Sequence, residues 1–445
     1  MASHLIFLSV PGLRAADVQQ MPNLQALVAS GDQAVLTPGF PCVTWPAQAD
    51  MLCGCRPDEH GVVANGFYWR DSQQIEMWTA WNEKIERPQI WDVLHQRDPQ
   101  LSSAVWFPML SKGCGADYVC MPAPIHNPDG SESLWCYTKP TELYGDLRDA
   151  HGHFPLQHFW GPLANIKSTA WIADSAVDAA ARFRPNFFLL YLPHLDYAAQ
   201  KHGPDSQPAM DALGELDQVL GTLQDGMRRA YGDAESTWLI ASEYTIVPVD
   251  HVTYPNRVLR EAGLLAVREE DDGEYLDTES SLAWALVDHQ FSHIFVKDAD
   301  AGTVRLVQQI FQGTEGMAEI LAGGARAKYQ MDHERSGEVI LISTPNSWQA
   351  YYYWLDDARA PAFARTVDIH RKPGYDPVEL HFDPSTKSIP LDATLVRGSH
   401  GAPAENDFQR GVLLSSRAGV IIQPRVHGTD VAAIVLQQFD VDENR

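Results

Sequence analysis

Three short, mostly apolar runs constrain the fold of this 445-residue chain more than any other feature. They cover residues 4–10, 186–193 and 237–242, and each has the length of a single strand. Strands that are buried on both faces appear as continuous apolar runs, whereas strands with one solvated face alternate with polar residues. We therefore interpret the three runs as central strands of a parallel sheet.

Helical patterns separate these runs, as expected for a parallel sheet with helices on both faces. Further strands are predicted over residues 103–107 and 339–343. Helices are predicted over residues 21–30, 44–52, 87–96, 168–182, 207–231, 256–262 and 304–311. The predicted fold class is α/β, with a mostly parallel central sheet between helices. Ligands of such sheets bind at the carboxyl ends of the strands.

The pattern breaks between residues 108 and 165, where prolines, glycines and aromatic residues replace any regular period. A structureless loop of this length is uncommon within a compact domain. We therefore predict an α/β core formed by residues 1–107 and 166–445. Residues 108–165 would form an inserted cap subdomain, rich in aromatic residues and proline, over the site.

The composition limits the partners and the compartment. With 33 Lys and Arg against 58 Asp and Glu, the net charge is −25, which disfavours nucleic acid and anionic membranes as partners. The sequence has no apolar run of about 18 residues and no basic, apolar leader at its start, so we expect no membrane span. Six irregularly spaced cysteines predict reduced thiols and a cytoplasmic protein. The oligomeric state is left open.

Residues 40–65, FPCVTWPAQADMLCGCRPDEHGVVAN, contain the clearest candidate for chemistry. Thr44 precedes Trp45-Pro46, and proline is tolerated in the first helical turn, so Thr44 is predicted to cap a helix that Gly54 ends. A hydroxyl at a helix N-terminus lies beside unpaired N–H groups that favour a bound phosphate. Thr44 is therefore either a nucleophile or only a cap.

The pattern FPxxTxPxxxxxxxGxxPxxHGxxxN resembles the active-site stretch of nucleotide pyrophosphatase/phosphodiesterases. These belong to the alkaline phosphatase superfamily, which also includes phosphonoacetate hydrolases. The resemblance implies an alkaline phosphatase-like fold. It also implies that Thr44 is a metal-bound nucleophile and that Asn65 contacts a phosphoryl oxygen.

The resemblance further implies a divalent ion, zinc, held by loops after the strands. Asp196 follows the second apolar run, and His400 lies in a late Gly-Ser-His-Gly motif. The family's other histidine would fall at Gln200, whereas this chain has His202 two residues later. Either the loop is rebuilt so that His202 reaches the metal, or this ligand is lost.

The first metal site of the family is poorly matched. Pro11 stands where the family has an aspartate, and Tyr244 stands where it has a histidine. Glu243 keeps a carboxylate and is predicted to help hold a second ion or to act as a general base. A tyrosine with its ordinary pKa near 10 is a poor zinc ligand.

His289 and His293 are candidate replacement ligands. They would share a face if the segment were helical, because they are four residues apart. However, the residues FSHIFV that include His293 predict a strand, which would separate the two side chains. At least one of the two is therefore expected to be structural.

Together these features predict a metal-dependent hydrolase with a threonine nucleophile and one or two divalent ions. Its substrate would be a small-molecule phosphodiester, pyrophosphate, phosphomonoester or phosphonate. The alternative is a catalytically silent or single-metal ligand-binding homologue that has lost the first metal site. Metal stoichiometry separates these hypotheses.

Overall fold

A computed structural model describes residues 4–127, 132–232 and 236–441. Its helices are α1 Pro22–Val28, α2 Thr44–Cys53, α3 Pro57–His60, α4 Ile90–Arg97, α5 Leu143–His151, α6 Ile166–Phe183, α7 His194–His202, α8 Gln207–Tyr231, α9 Pro255–Glu261, α10 Ala301–Phe311 and α11 Asp430–Gln437. Its strands are β1 His4–Ser9, β2 Gln33–Thr37, β3 Gly66–Trp69, β4 Gln74–Met77, β5 Ser103–Trp106, β6 Tyr118–Pro122, β7 Ile125–His126, β8 Glu132–Ser133, β9 Cys136–Lys139, β10 Phe187–Tyr191, β11 Ser236–Ala241, β12 Val247–Pro248, β13 His251–Thr253, β14 Ala266–Glu270, β15 Gly273–Asp277, β16 Ala283–Asp288, β17 Phe291–Val296, β18 Met317–Ala322, β19 Val339–Ser343, β20 Ser347–Gln349, β21 Gly398–Ser399, β22 Gly411–Ser415 and β23 Arg425–His427.

The central sheet has nine strands in the order β23-β2-β22-β11-β1-β10-β5-β6-β9. The three apolar runs are β1, β10 and β11, and β1 pairs in parallel with both of the others. Antiparallel pairing is confined to the contacts of β22 with β2 and β11 and of β9 with β6. The predicted α/β class with a mostly parallel sheet is confirmed.

Helices cover both faces of this sheet because alternate residues of its strands point to opposite sides. On one face Ile6 and Leu8 of β1 join a core with the apolar residues of α6 and α8. On the other face Leu5 and Phe7 pack with residues of α2, α4 and α11. Burial on both faces explains why β1 shows no apolar-polar alternation.

The long helix α8 shows how an amphipathic segment forms part of the helical layer on one face of the central sheet. Its N-cap Ser206 accepts a hydrogen bond from the backbone N–H of Ala209. Buried residues then recur three or four positions apart, which is the helical period. They include Ala209, Ala212, Leu213, Leu216, Leu220, Leu223 and Met227.

The predicted boundaries of the cap at 108 and 165 differ from the structure. Two strands from this segment, β6 and β9, extend the central sheet, and Val119 of β6 pairs with Val105 of β5. These strands are short and bounded by proline, so the sequence pattern did not reveal them. The later aromatic residues Phe159 and Trp160 do line a pocket of the core.

A second, antiparallel sheet lies later in the chain, with the order β16-β17-β19-β18. Its hydrophobic core contains the fully buried aromatic run of residues 351–354, which is therefore packing rather than a ligand surface. The turn after β16 and the residues that follow this sheet reach the carboxyl ends of the central strands. The site is therefore covered largely by this later part of the chain.

Candidate active site

A pocket opens at the carboxyl ends of β1, β10 and β11. It is largely aromatic, with walls formed by Trp78, Phe159, Trp160, Tyr191, Tyr197, Tyr244 and Tyr375. Its polar lining consists of Thr44, Asp196, Gln200, His289, Lys372, Asp376, Glu379 and His400. A mostly apolar concavity with a few convergent polar groups is the usual form of a small-molecule site.

Thr44 is the first residue of α2 and not its cap. Val43 is the N-cap, with extended backbone angles and no side-chain capping bond, and Gly54 ends the helix in the left-handed conformation as predicted. The Thr44 hydroxyl lies 3.1 Å from the Tyr244 hydroxyl and faces the pocket. The cap-only interpretation of Thr44 is therefore wrong, because its side chain caps nothing.

Tyr244 joins Thr44 to Asp196. Its hydroxyl donates to Asp196 Oδ2 at 3.0 Å, while its backbone carbonyl accepts the Gly12 N–H at 2.9 Å. Tyr244 follows β11, Asp196 follows β10 and Gly12 follows β1, so three adjacent strands deliver these groups to one place. Thr44 and Asp196, which are 152 positions apart in the sequence, are separated in space by a single hydroxyl.

Two histidines complete the wall. His400 Nδ1 lies 2.8 Å from the Cys42 carbonyl, which can only accept, so the proton is on Nδ1 and Nε2 is left as an acceptor. The His400 ring stacks on Tyr244 with centroids 3.7 Å apart, and on its other side lies His289, 3.9 Å away. Burial lowers the pKa of both rings well below the ordinary value, so both are neutral at pH 7.

His202 is not part of this site, which corrects its prediction as a metal ligand. Residues 194–202 form the regular helix α7, and Asp196 and Gln200 share its pocket face because they are four residues apart. His202 lies six residues after Asp196, about 240° around the helix. It lines a separate surface cavity, while Gln200 accepts a hydrogen bond from Tyr375 at 2.5 Å.

His289 and His293 are separated, because β16 and β17 form a hairpin with His289 at its turn, at a φ of 58°. His289 enters the pocket, stacks on Tyr375 and places Nδ1 at 2.5 Å from Asp288 Oδ1. His293 is fully buried, with Nε2 donating to the Val63 carbonyl and Nδ1 accepting from the Gly337 N–H. His293 is therefore structural and cannot be a replacement ligand.

Asn65 is buried behind the pocket wall. Its Oδ1 accepts from the Trp45 N–H at 3.0 Å, and its Nδ2 donates to Asp288 Oδ1 at 3.1 Å. It is fully buried and is not among the pocket-lining residues. Asn65 thus ties the start of α2 to Asp288, instead of presenting its amide to a substrate oxygen as the resemblance implied.

Glu243 is also buried beside the pocket without lining it. Its Oε1 accepts from Ser9 Oγ at 2.5 Å and from Gln48 Nε2 at 2.8 Å. Oε2 has no partner within the part of the chain that the structure describes. Burial raises the pKa of Glu243 to about 8, although the two hydrogen bonds oppose this shift. The side chain is therefore largely protonated at neutral pH.

This raised pKa predicts a pH dependence of stability. The unfolded chain ionises Glu243 above about pH 4.5, while the folded chain keeps its proton to about pH 8. The contribution of Glu243 to the free energy of unfolding is therefore greatest below pH 4.5 and is lost as the pH rises to about 8. Glu243→Gln retains an acceptor for both hydrogen bonds, so its stability relative to wild type should improve between pH 5 and pH 8 by about 1 to 3 kcal/mol.

Urea unfolding at pH 5, 6.5 and 8 measures this difference. The exposed Glu261→Gln serves as the control, and its unfolding free energy should follow that of wild type at all three pH values. A constant difference between wild type and Glu243→Gln would show that Glu243 does not take up a proton on folding.

A buried ion cluster forms another part of the pocket wall. Lys372 Nζ lies 2.8 Å from Asp376 Oδ2 and 2.5 Å from Glu379 Oε1, and all three side chains are almost fully buried. Trp160 Nε1 also donates to Glu379, at 2.5 Å. Burial alone would lower the pKa of Lys372, but the two carboxylates outweigh it and raise the pKa. Lys372 is therefore a charged cation that is paired within its own cluster.

The donor set does not fit the predicted metal centre. Within residues 4–127, 132–232 and 236–441, no group of three or more His, Cys, Asp or Glu side chains is arranged to hold a metal ion. Asp196, His400 and the candidate replacement ligand His289 line the pocket, but the Tyr244 side chain contacts Asp196 and His400, and His289 Nδ1 is bonded to Asp288. Zinc sites need three or four protein ligands whose donor atoms converge, and these three side chains are not arranged in that way.

Sequence reasoning missed two features of the site. Tyr244 was considered only as a poor zinc ligand, although its position directly after a buried strand placed its hydroxyl at the sheet edge. The cluster of Lys372, Asp376 and Glu379 had a partial local signal, since Lys372 and Asp376 carry opposite charges four residues apart. Nothing local indicated that this turn would reach a pocket formed by α2 and β10.

A family model described as type I phosphodiesterase/nucleotide pyrophosphatase matches residues 5–376. An uncharacterized pyrophosphatase/phosphodiesterase of Schizosaccharomyces pombe is 24% identical over 266 residues, which are 58% of this chain and 47% of that protein. Human ectonucleotide pyrophosphatase/phosphodiesterase family member 7 is 22% identical over 312 residues, 66% of this chain and 62% of that protein. The chain spans about half the length of several curated relatives it matches.

Solved structures share the fold. Murine ectonucleotide pyrophosphatase/phosphodiesterase 5 superposes with a TM-score of 0.62 at 12% identity, covering 99% of this chain and 96% of that one. Its inactive threonine-to-alanine variant was solved in complex with AMP. Phosphonoacetate hydrolase from Sinorhizobium meliloti 1021, in complex with phosphonoformate, superposes with a TM-score of 0.63 at 15% identity. The superposition covers 97% of this chain and 95% of that one. Among the described helices, none has the length and apolar character needed to cross a membrane.

Proposed function

The chain belongs to the type I phosphodiesterase/nucleotide pyrophosphatase family, and on this basis we propose that it hydrolyses a small-molecule phosphoric ester, pyrophosphate or phosphonate. Thr44 is the proposed nucleophile. The observation that carries the proposal is the position of Thr44. It is the first residue of α2, and its hydroxyl faces the pocket beside the residues that follow β10 and β11. The inactive threonine variant of the murine structural neighbour supports the same assignment.

The reaction would proceed in two displacements at phosphorus. Thr44 Oγ1 forms a bond to phosphorus as its O–H bond breaks, and the bond from phosphorus to the leaving group breaks with its electron pair on that group. The leaving group takes up a proton, and a water molecule then hydrolyses the threonine ester and restores the Thr44 hydroxyl. The amino end of α2 favours negative charge on the phosphoryl oxygens during both steps.

The resemblance also implies a divalent ion, with zinc as the expected metal. Such an ion would supply Lewis-acid stabilisation of the phosphoryl oxygens when bound. Asp196 and His400, with His289 as the candidate replacement, would be its ligands, but these side chains are not arranged as a zinc site. No step of the proposed reaction is therefore assigned to a metal.

The substrate is proposed to carry an apolar or aromatic substituent, because the pocket walls are mostly aromatic. A cytoplasmic location is proposed as well. All six cysteines are free in the structure, which suits a reducing compartment. Fractionation of cells expressing the tagged chain tests this location.

A ligand-binding homologue without catalysis is the second candidate. It is favoured by Tyr244, whose hydroxyl occupies the place between Thr44 and Asp196. In that case the pocket would bind a phosphate-containing ligand and release it unchanged.

The test is a turnover assay combined with mass spectrometry of the intact protein and of its proteolytic peptides. Purified protein is incubated with an aryl phosphodiester, an aryl phosphomonoester, a dinucleotide pyrophosphate and phosphonoacetate, and samples are quenched in acid. We expect turnover of at least one substrate and a phosphoryl or phosphonyl adduct on the peptide that contains Thr44. Absence of turnover on all four, with a ligand-induced rise in melting temperature, would favour the binding protein instead.

A further inference from the structure

We propose that Tyr244 is a catalytic residue that activates Thr44 in the place where the family resemblance implies a cation, so that this site works without a divalent metal ion. This inference rests on the proposed hydrolysis by Thr44. It assigns to the Tyr244 hydroxyl two tasks of a metal ion at a nucleophile, which are to hold the oxygen in position and to ease the loss of its proton.

The direction of the hydrogen bonds supports this role. The Tyr244 hydroxyl donates its single proton to Asp196 Oδ2 at 3.0 Å when this carboxylate is ionised, because an ionised carboxylate oxygen only accepts. The contact of 3.1 Å between Thr44 and Tyr244 must then use the proton of Thr44. Thr44 therefore donates to Tyr244, and the Tyr191 hydroxyl also interacts with the Thr44 side chain.

Tyr244 is also fixed in place and cannot swing aside for an ion. Its side chain is 1% exposed, and its ring lies parallel to His400 at an interplanar angle of 6°. Its backbone carbonyl accepts from the Gly12 N–H at 2.9 Å and from Ser242 Oγ at 2.8 Å. An ion that joined Thr44 to Asp196 would have to displace this enclosed phenol.

The residues near Tyr244 are consistent with the replacement of a metal ion by its hydroxyl. Pro11 precedes Gly12 at the end of β1 and has no side-chain donor or acceptor. Gln200 shares the pocket face of α7 with Asp196, but its Oε1 is already bonded to Tyr375 at 2.5 Å. Asp196 Oδ1 and His400 Nε2 have no partner among the described residues, but no group of three or more His, Cys, Asp or Glu side chains is arranged around them to hold a metal ion.

The proton transfer balances without a metal or a redox partner. As the bond from Thr44 Oγ1 to phosphorus forms, the Thr44 proton moves to the Tyr244 oxygen, and the Tyr244 proton moves to Asp196 Oδ2. Tyr244 is neutral before and after this step, and the leaving group departs with its electron pair. During attack by water on the threonine ester, the Asp196 proton returns to Tyr244 and the Tyr244 proton moves to Thr44 Oγ1 as its bond to phosphorus breaks. The water molecule releases one proton to the solvent, which balances the proton that the leaving group takes from the solvent.

A substitution at Tyr244 and a matched control at another tyrosine test the inference. Tyr244→Phe removes the hydroxyl and keeps the ring that stacks on His400, and we expect kcat to fall about 10²-fold or more with little change in KM. The matched control is Tyr352→Phe, since Tyr352 is equally buried and its hydroxyl has no partner within the described residues. This control should retain wild-type kcat. Equal activity of Tyr244→Phe and wild type would overturn the catalytic role.

Zinc binding provides a readout that does not depend on activity. Zinc titration by calorimetry, with elemental analysis after dialysis against EDTA, should show no bound zinc in wild type. The double variant Gln200→His with Tyr244→His adds two imidazoles beside Asp196 and His400 and should bind one zinc ion per chain. Zinc retained by wild type, or failure of the double variant to gain zinc while it remains folded by circular dichroism, would contradict the inference.

The outcomes separate this inference from the proposed function. Turnover that survives EDTA within about twofold, together with the loss in Tyr244→Phe, supports both. Turnover that appears only when a divalent ion is added overturns the role of Tyr244 and leaves Thr44 hydrolysis standing. If no substrate is turned over, the proposed function fails, and the zinc titration alone decides whether Tyr244 excludes a metal ion.

Discussion

Thr44→Val is expected to lower kcat for every substrate that the protein hydrolyses by about 10³-fold or more, because the variant has no oxygen to attack phosphorus. Valine matches the branched shape of threonine, so the packing at the start of α2 should be retained. The lost contact is the hydrogen bond to Tyr244 at 3.1 Å, and its loss should cost about 1 kcal/mol of stability. Steady-state kinetics and thermal unfolding of the same samples measure both effects.

The control for this prediction is Thr169→Val. Thr169 is fully buried in α6, and its hydroxyl has no partner within residues 4–127, 132–232 and 236–441. The same exchange of hydroxyl for methyl should therefore leave kcat unchanged. Hydrolysis by Thr44→Val at a rate near that of wild type would exclude a threonine nucleophile and return the site to the binding hypothesis.

Lys372→Met is expected to reduce the free energy of unfolding by about 3 to 5 kcal/mol, which is the usual cost of removing one partner from a buried ion pair. The substitution leaves Asp376 and Glu379 together, almost fully buried and without their cation. It also removes the donor to the Thr366 carbonyl at 3.0 Å. Urea unfolding monitored by tryptophan fluorescence measures the loss.

A surface ion pair gives the comparison for Lys372. Arg228 lies 2.6 Å from Asp225, but both side chains are more than half exposed. Arg228→Met should change the unfolding free energy by less than about 1 kcal/mol, since water screens exposed pairs. If Lys372→Met cost no more than Arg228→Met, the buried cluster would have no stabilising role.

A triple variant that combines Lys372→Met with Asp376→Asn and Glu379→Gln should recover part of the lost free energy of unfolding, because no buried charge then remains unpaired.

The fold was predictable because its central strands are buried on both faces. Such strands give continuous apolar runs, and β1, β10 and β11 were each located within one or two residues. The helix α8 was predicted with its observed bounds because its apolar residues follow one period for 25 residues. The strands β6 and β9 were missed because short segments beside proline carry little periodic signal.

The site was harder to predict because its residues meet through tertiary structure. Thr44, Asp196 and His400 could be identified, because each lies in a short motif that resembles one of the family, and all three line the pocket. Whether His202 or Gln200 would face them depended on whether residues 194–202 form a helix or a loop, which the short segment did not decide. The hydroxyl of Tyr244 could be assigned a role only when its two partners were located in space.

The position of β22 has a consequence for synthesis of the chain. This strand, at residues 411–415, lies between β2 and β11, so the position between these two strands stays empty until residues 411–415 have left the ribosome. Meanwhile β2 and β11 each expose an unpaired edge, which can template pairing with another chain. We expect nascent chains stalled before residue 411 to aggregate readily and to depend on chaperones that shield such edges.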